Sequence, residues 1–246
     1  MSKIALITGA SGGLGKACAA QLEASGWRLA LISRDISALA ETADRAVIES
    51  DVTTAHGARN AIEHATDRFS AAPTALINCA GNTLITPFQR TTAEQYSQCL
   101  RANLDSAFFA LQAFTGALLK AGQPGAAVLV SSVVAGTGTS NHAAVAAAKG
   151  GIEALVRSVA AEYAGHGIRV NGIAPGLMRS PLTERLVSSE RGQKQIAAQY
   201  PLGRFGSIED GAAAICWLLS EEASWVTGQI LPIDGGFSAI RPTVKT

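Results

Sequence analysis

Long apolar runs are missing from this sequence. None reaches 18 residues, so no membrane-spanning helix is expected and a membrane is not a predicted partner. The first apolar stretch, Ile4 to Ile7, is cut off by Gly9 and is too short for the apolar segment of a secretion signal. A charge of one sign is missing too. Twenty Lys and Arg stand against 19 Asp and Glu, a net +1, where a nucleic-acid binder would carry a basic excess. Only 16% of residues are charged while 48% are hydrophobic, which excludes general disorder. The four cysteines, Cys18, Cys79, Cys99 and Cys216, show no metal-ligand spacing and no Cys-x-x-Cys pair. They read as buried or half-buried thiols of a reducing cytoplasm, with no metal site. Repeats, charge blocks and low-complexity linkers are absent as well, so residues 1–246 read as one domain, large enough to bury a core without staples.

What is present is an alternation. Short apolar runs occur at Ile4–Thr8, Leu29–Ser33, Val47–Ser50, Ala75–Asn78, Ala127–Ser131, Ile168–Ile173 and Gln229–Ile233. Several are continuously apolar, as parallel strands covered on both faces are. Helical periodicity fills intervals between them: Ala17–Ser25, Asn103–Lys120, residues 145–164, and Ile208–Ser220. In the second, Leu104, Ala107, Phe108, Leu111, Phe114 and Leu118 form one apolar face. The pattern predicts an α/β fold, a doubly wound parallel sheet with helices on both faces. Residues 177–206 break the rhythm and are expected to form a lid over a pocket.

The first strand runs into Thr8-Gly9-Ala10-Ser11-Gly12-Gly13-Leu14-Gly15 and then a helix. Glycines let the backbone turn tightly and approach a phosphate, and the helix start aims unpaired N–H groups at the anion. The order strand, glycine turn, helix predicts a dinucleotide-binding fold of the Rossmann type, with Gly9, Ser11, Gly13, Leu14 and Gly15 at the pyrophosphate. Ser33-Arg34-Asp35 closes the second strand, where such folds meet the adenosine ribose. A guanidinium at Arg34 suits a 2′-phosphate, which predicts NADP over NAD.

With these motifs in order, the chain resembles the short-chain dehydrogenase/reductase family over its full length, in its compact single-domain form, and is similar to 3-oxoacyl-carrier-protein reductases. The resemblance rests on Thr8–Gly15, Asp51-Val52, Asn78-Cys79-Ala80-Gly81, Arg101-Ala102-Asn103, Val130-Ser131-Ser132, Lys149, Arg169-Val170-Asn171, Ala174-Pro175-Gly176, Thr227-Gly228-Gln229 and Asp234-Gly235-Gly236. It implies an oxidoreductase that moves a hydride between NADP(H) and a carbonyl or alcohol. It places Asp51 and Val52 at the adenine and Asn78, Ala80 and Gly81 along the middle of the cofactor. Pro175, Gly176 and Ser180 fall at the nicotinamide half; Ser180 stands where the family usually has threonine. Of the family's catalytic set, Asn103 matches the asparagine that holds a relay water, Ser132 the serine that holds the carbonyl, and Lys149 the lysine that binds the nicotinamide ribose. Read locally, Asn103 also suits a helix N-cap and Ser132 a hydroxyl bonded to nearby backbone.

The family's tyrosine is the departure. It belongs four residues before Lys149 and thirteen after Ser132, and both counts land on Val145. Valine cannot relay a proton, and loss of a positioned acid costs about 10²–10⁴-fold. His142, three residues earlier, shares a face with Val145 if the helix has already begun there, and is a candidate acid. It also reads as a polar helix-start residue or as a substrate-binding side chain. The alternative function is a non-catalytic NADP-binding relative with a regulatory or structural role. The resemblance and the two long helices, 103–120 and 145–164, further imply a homotetramer or homodimer.

Overall fold

The protein is described by a computed structural model over residues 3–180, 183–184 and 189–241. Seven parallel strands form its sheet in the order β3-β2-β1-β4-β5-β6-β9: β1 Ile4–Thr8, β2 Arg28–Ser33, β3 Arg45–Glu49, β4 Ala75–Asn78, β5 Gly125–Val130, β6 Ile168–Pro175 and β9 Ile230–Ile233. Two two-residue strands, β7 Met178–Arg179 and β8 Gly206–Ser207, pair outside it. The helices are α1 Gly13–Ala24, α2 Ala55–Phe69, α3 Ala93–Leu100, α4 Ser106–Ala121, α5 Ala143–Tyr163, α6 Glu190–Ala197 and α7 Ile208–Leu219.

The unbroken apolar strands follow from two covered faces. In β1, Ile4 and Leu6 enter the core under α2, α4 and α5, while Ala5 and Ile7 enter the core under α1 and α7. β5 divides in the same way, Ala127 and Leu129 to one side and Ala126 and Val128 to the other. Strand order reverses at β1, whose neighbours are β2 and β4. In a doubly wound sheet that reversal opens a crevice at the carboxyl ends of the strands.

Three helix readings need correction. Phe108 does not belong to the buried face of α4: it is 44% exposed, whereas Ala107, Leu111, Phe114 and Leu118 are buried. Asn103 is not a helix start. Thr92 and Gln95 form a capping box that launches α3 ten residues earlier, and the helix passes through a π turn, Arg101–Asp105, into α4. α5 begins at Ala143, so His142 is its N-cap (φ −114°, ψ 16°) rather than a residue of its first turn. Three helices, α2, α3 and α6, carry no clear apolar periodicity in the sequence. The buried stripe of α2 is Ala58, Ala61, Ile62, Ala65 and Phe69, mostly alanine, which is weakly hydrophobic.

Candidate active site

The glycine turn lies at the switch point, after β1. Gly9 has φ +63°, a conformation open mainly to glycine, and a Cβ there would stand 2.8 Å from the Ala80 nitrogen. At Gly15 a Cβ would stand 2.6 Å from the Gly9 carbonyl oxygen. The turn is thus packed backbone to backbone against the segment that follows β4. Gly13 opens α1, with Leu14 behind it packed against the apolar core; no side chain caps the helix and no acidic residue sits in its first turn. Those free N–H groups fit a phosphate. Ser11 Oγ meets Ser33 Oγ at 2.7 Å, tying the turn to the end of β2, and Arg34 follows, exposed, at the mouth.

Across the mouth lie Asp51 and buried Val52. Burial pushes the Asp51 carboxyl up, but hydrogen bonds from Thr53 and the guanidinium groups of Arg34 and Arg101 outweigh it and hold the carboxyl below its ordinary value. Arg101 was not singled out as a site residue by the sequence; its charge reaches Asp51 only through the fold.

β4 delivers Asn78. Thr8 Oγ1 donates to its Oδ1 at 2.7 Å, and its Nδ2, buried, has no partner among the described residues. Asn103 repeats the situation in reverse. It is fully buried in the π turn, and its Nδ2 donates to the Cys99 carbonyl and to Asn82 Oδ1, each at 2.9 Å. Its Oδ1 is left without a partner among the described residues. An unpaired buried polar atom costs about 1–3 kcal/mol, so each marks a group that a ligand or a bound water would satisfy. A Cβ on Gly81 would lie 2.6 Å from that Oδ1 and 3.5 Å from Lys149 Nζ. Asn103 and Lys149 therefore flank Gly81 together. This cradle, lined by donors, acceptors and glycine backbone, fits a dinucleotide.

Lys149 is 7% exposed, and its Nζ donates to the Val130 carbonyl at 2.7 Å. Burial lowers its ammonium to about 8, while the thiols of Cys79 and Cys99 draw it back up. Ser132, half-buried, follows β5; its Oγ accepts from Val134 N–H at 3.4 Å in a short 3₁₀ turn, a bond to local backbone. Pro175 ends β6 and Gly176 follows it, where a Cβ would stand 2.9 Å from the Tyr200 ring. Tyr200 Oη accepts from Leu177 N–H at 2.7 Å. Ser180 bonds Thr183 through its hydroxyl at 3.1 Å. Ser132, Pro175 and Gly176 lie at or just beyond the carboxyl ends of β5 and β6, and Lys149 reaches them from α5.

Val145 takes no polar part. It is 5% exposed in a small apolar cluster with Cys99 and Ala144, against which Leu84 and Val134 pack. His142 is half-buried; its Nδ1–H donates to the Ser140 carbonyl at 2.7 Å, and among the described residues it makes no hydrogen bond to Ser132, Asn103 or Lys149. Of residues 177–206, β7, α6 and β8 are in place, whereas Leu182, Arg185 and Leu186 lie outside the described residues. Among the described residues no group of three or more His, Cys, Asp or Glu is placed to hold a metal, and no helix is long and apolar enough to cross a membrane.

Comparison with known proteins agrees with this geometry. The profile of the family described as enoyl-(acyl carrier protein) reductase matches residues 9–238. An uncharacterized oxidoreductase of Mycobacterium tuberculosis is 35% identical, over 96% of this chain and 92% of its own. Among solved structures, 4-hydroxyisoleucine dehydrogenase complexed with NADH superposes with a TM-score of 0.91 at 26% identity, over 97% of this chain and 100% of that one. ElxO with NADP bound gives 0.89 at 26% identity, over 96% and 99%.

Proposed function

The chain belongs to the short-chain dehydrogenase/reductase family, and from that premise we propose that it is an NADP(H)-preferring oxidoreductase acting on a carbonyl or alcohol. One observation carries the reading most: Lys149 Nζ and the orphan Oδ1 of Asn103 flank Gly81 in the crevice at the switch point of the sheet. The strength of an orphaned acceptor beside a buried ammonium is that neither is explained by packing.

A nicotinamide dinucleotide bound there supplies the hydride. The chain's own residues bind and orient. The N–H groups of Gly13, Leu14 and Gly15, with Gly9 and Ser11, hold phosphate at the start of α1. Arg34 pairs a 2′-phosphate, and Asp51 and Val52 border the adenine. Asn78, Ala80 and Gly81 line the middle, and Pro175, Gly176 and Ser180 the far half. Ser132 donates to the substrate oxygen, Lys149 carries charge beside it, and Asn103 offers Oδ1 as an acceptor. Residues 177–206 act as the lid: the segment follows β6, and Gly206 of β8 donates its N–H to the Leu177 carbonyl beside Gly176. The relatives of known structure bind NADH in one case and NADP in the other, so the preference for NADP rests on Arg34.

Val145 favours a second reading, a dinucleotide-binding protein without turnover, because the family's acid is replaced by a packed apolar side chain. NADPH binding followed by fluorescence, beside NADPH oxidation against aldehydes, ketones and 3-oxoacyl thioesters, separates the two. Binding with oxidation supports the oxidoreductase; binding with no oxidation across the panel leaves the second reading; no binding sinks both.

A further inference from the structure

A carbonyl reduced at Ser132 needs a proton on its oxygen, and Val145 has none to give. The titratable groups around that position differ sharply in fitness. Cys99 is packed against Val145 and 1% exposed; burial pushes its thiol up, against the opposing pull of Asn103 and Lys149, which makes it a poor donor. Tyr200 spends its hydroxyl on Leu177 N–H beyond Gly176, and burial raises it too. His142 sits outside the first turn of α5 with Nδ1 held by Ser140.

Lys149 is placed differently. It lies one helical turn after Val145, on the same face of α5. Its Nζ is held by the carbonyl of Val130, two residues before Ser132, and stands 3.5 Å from the point a Gly81 Cβ would occupy. It thus spans from the end of β5, two residues short of Ser132, to Gly81 beyond the end of β4. An ammonium has three protons, and Val130 engages one of them.

We propose that Lys149 is itself the proton donor and acceptor of the reaction, a catalytic residue in its own right. The inference rests on the oxidoreductase reading above. In the reducing direction a hydride forms the new C–H bond at the carbonyl carbon, and the π pair moves onto oxygen. That oxygen takes a proton from Nζ, whose N–H pair stays on nitrogen, and the neutral amine regains a proton from water. In the oxidising direction the neutral amine removes the hydroxyl proton as hydride leaves the carbon. Among the described residues, the titratable groups that act on Nζ are the thiols of Cys79, after β4, and Cys99, on α3. An ammonium titrating near 8 is matched to proton transfer at neutral pH.

The experiment follows hydride transfer by stopped flow, with NADPH and the most active carbonyl of the panel, from pH 6 to 10. Wild-type protein is compared with Lys149→Arg, which keeps the charge but cannot release its proton, and with Lys149→Gln. NADPH binding is measured in each. In wild type, reduction is expected to fall, and oxidation to rise, through one limb near 8. Lys149→Arg is expected to bind NADPH yet lose about 10²–10⁴-fold in the transfer rate, with the limb gone. Nuclear magnetic resonance of the cofactor-free protein, with the Lys149 signal assigned by its loss in Lys149→Arg, is expected to titrate at the same place. Transfer at the wild-type rate in Lys149→Gln, a Lys149 signal titrating at the ordinary lysine value of about 10.4, or a limb that vanishes only in His142→Ala or Cys99→Ser overturns the inference and leaves the oxidoreductase reading. No transfer from wild type with NADPH bound overturns both.

Discussion

Arg34 and Val145 show how much single residues decide here. Arg34 is exposed, so its pairing with a 2′-phosphate competes with water, and about 1 kcal/mol is a fair scale for it. Arg34→Ala is expected to reduce a roughly fivefold preference for NADPH over NADH to none, read from two fluorescence titrations. Equal affinities in wild type would remove the basis for the NADP assignment. Val145 lies in a filled cluster, so restoring the family's tyrosine there is not neutral. Val145→Tyr is expected to lower stability by about 1–3 kcal/mol through overpacking against Leu84, Val134 and Cys99, seen as a lower thermal midpoint. Lys149 carries a cost of its own. Its folded value is depressed, so between about 8 and the ordinary lysine value the unfolded chain holds more protons than the folded one, and stability rises with pH across that window. Below it the folded protein bears a buried ammonium in full. Lys149→Met is therefore expected to raise the melting temperature at pH 7 and to flatten that rise; a lower melting temperature would show that the bond to Val130 outweighs burial.

Among the elements, α7 is the best case of sequence chemistry fixing geometry beside the crevice. Ser207 and Asp210 form a capping box at its start, and Arg204 grips the Asp210 carboxylate with Nη1 at 2.7 Å and Nη2 at 3.0 Å. Arg204 and the Ser207 N–H hold that carboxyl at about 2. Because the folded value is depressed, the contribution is complete above the ordinary aspartate value of about 3.9 and fades as pH falls toward 2. Asp210→Ala is expected to cost about 1 kcal/mol at pH 7 and almost nothing near pH 2, measured by urea unfolding at both. Signals of this kind separate what was legible from what was not. Continuous apolar strands and the glycine turn could be read because each is contiguous or strictly periodic, whereas Ser132 and Lys149 stood out only through the family resemblance. The start of α3 could have been read from Thr92 and Gln95, which stand three apart as a capping box does. The π turn could not, since it depends on Ser106 Oγ and Asn103 Nδ2 taking the carbonyls of Ala102 and Cys99, contacts that exist only once the helix is built. The electrostatic pull of Arg101 on Asp51 and the bond of Tyr200 with Leu177 act between residues 50 and 23 positions apart; no local pattern records either.

At the scale of the whole molecule, two of the places where large apolar side chains are exposed bear on assembly. Phe108, 44% exposed, lies on α4 beside a shallow depression bordered by Leu104, Gly151, Ala154 and Leu155, so small residues on α5 leave room for a second helix pair. Trp217, 43% exposed, and Trp225, 96% exposed, lie on α7 and in the segment before β9, the strand that ends the sheet. An exposed edge strand beside two exposed tryptophans is the kind of surface a monomer covers or pairs. Two separate patches on one chain, each self-complementary about its own two-fold axis, generate a tetramer with three perpendicular axes; one patch alone generates a dimer. The homotetramer is the assembly we propose. Light scattering at micromolar concentration is expected to report four chains for wild type. Phe108→Glu and Trp225→Glu are each expected to report two, because each removes one interface and leaves the other, and the double variant one. A wild-type monomer would show that both patches serve something other than self-association. Dimers that survive only Phe108→Glu, and never Trp225→Glu, would confine the assembly to the edge of the sheet.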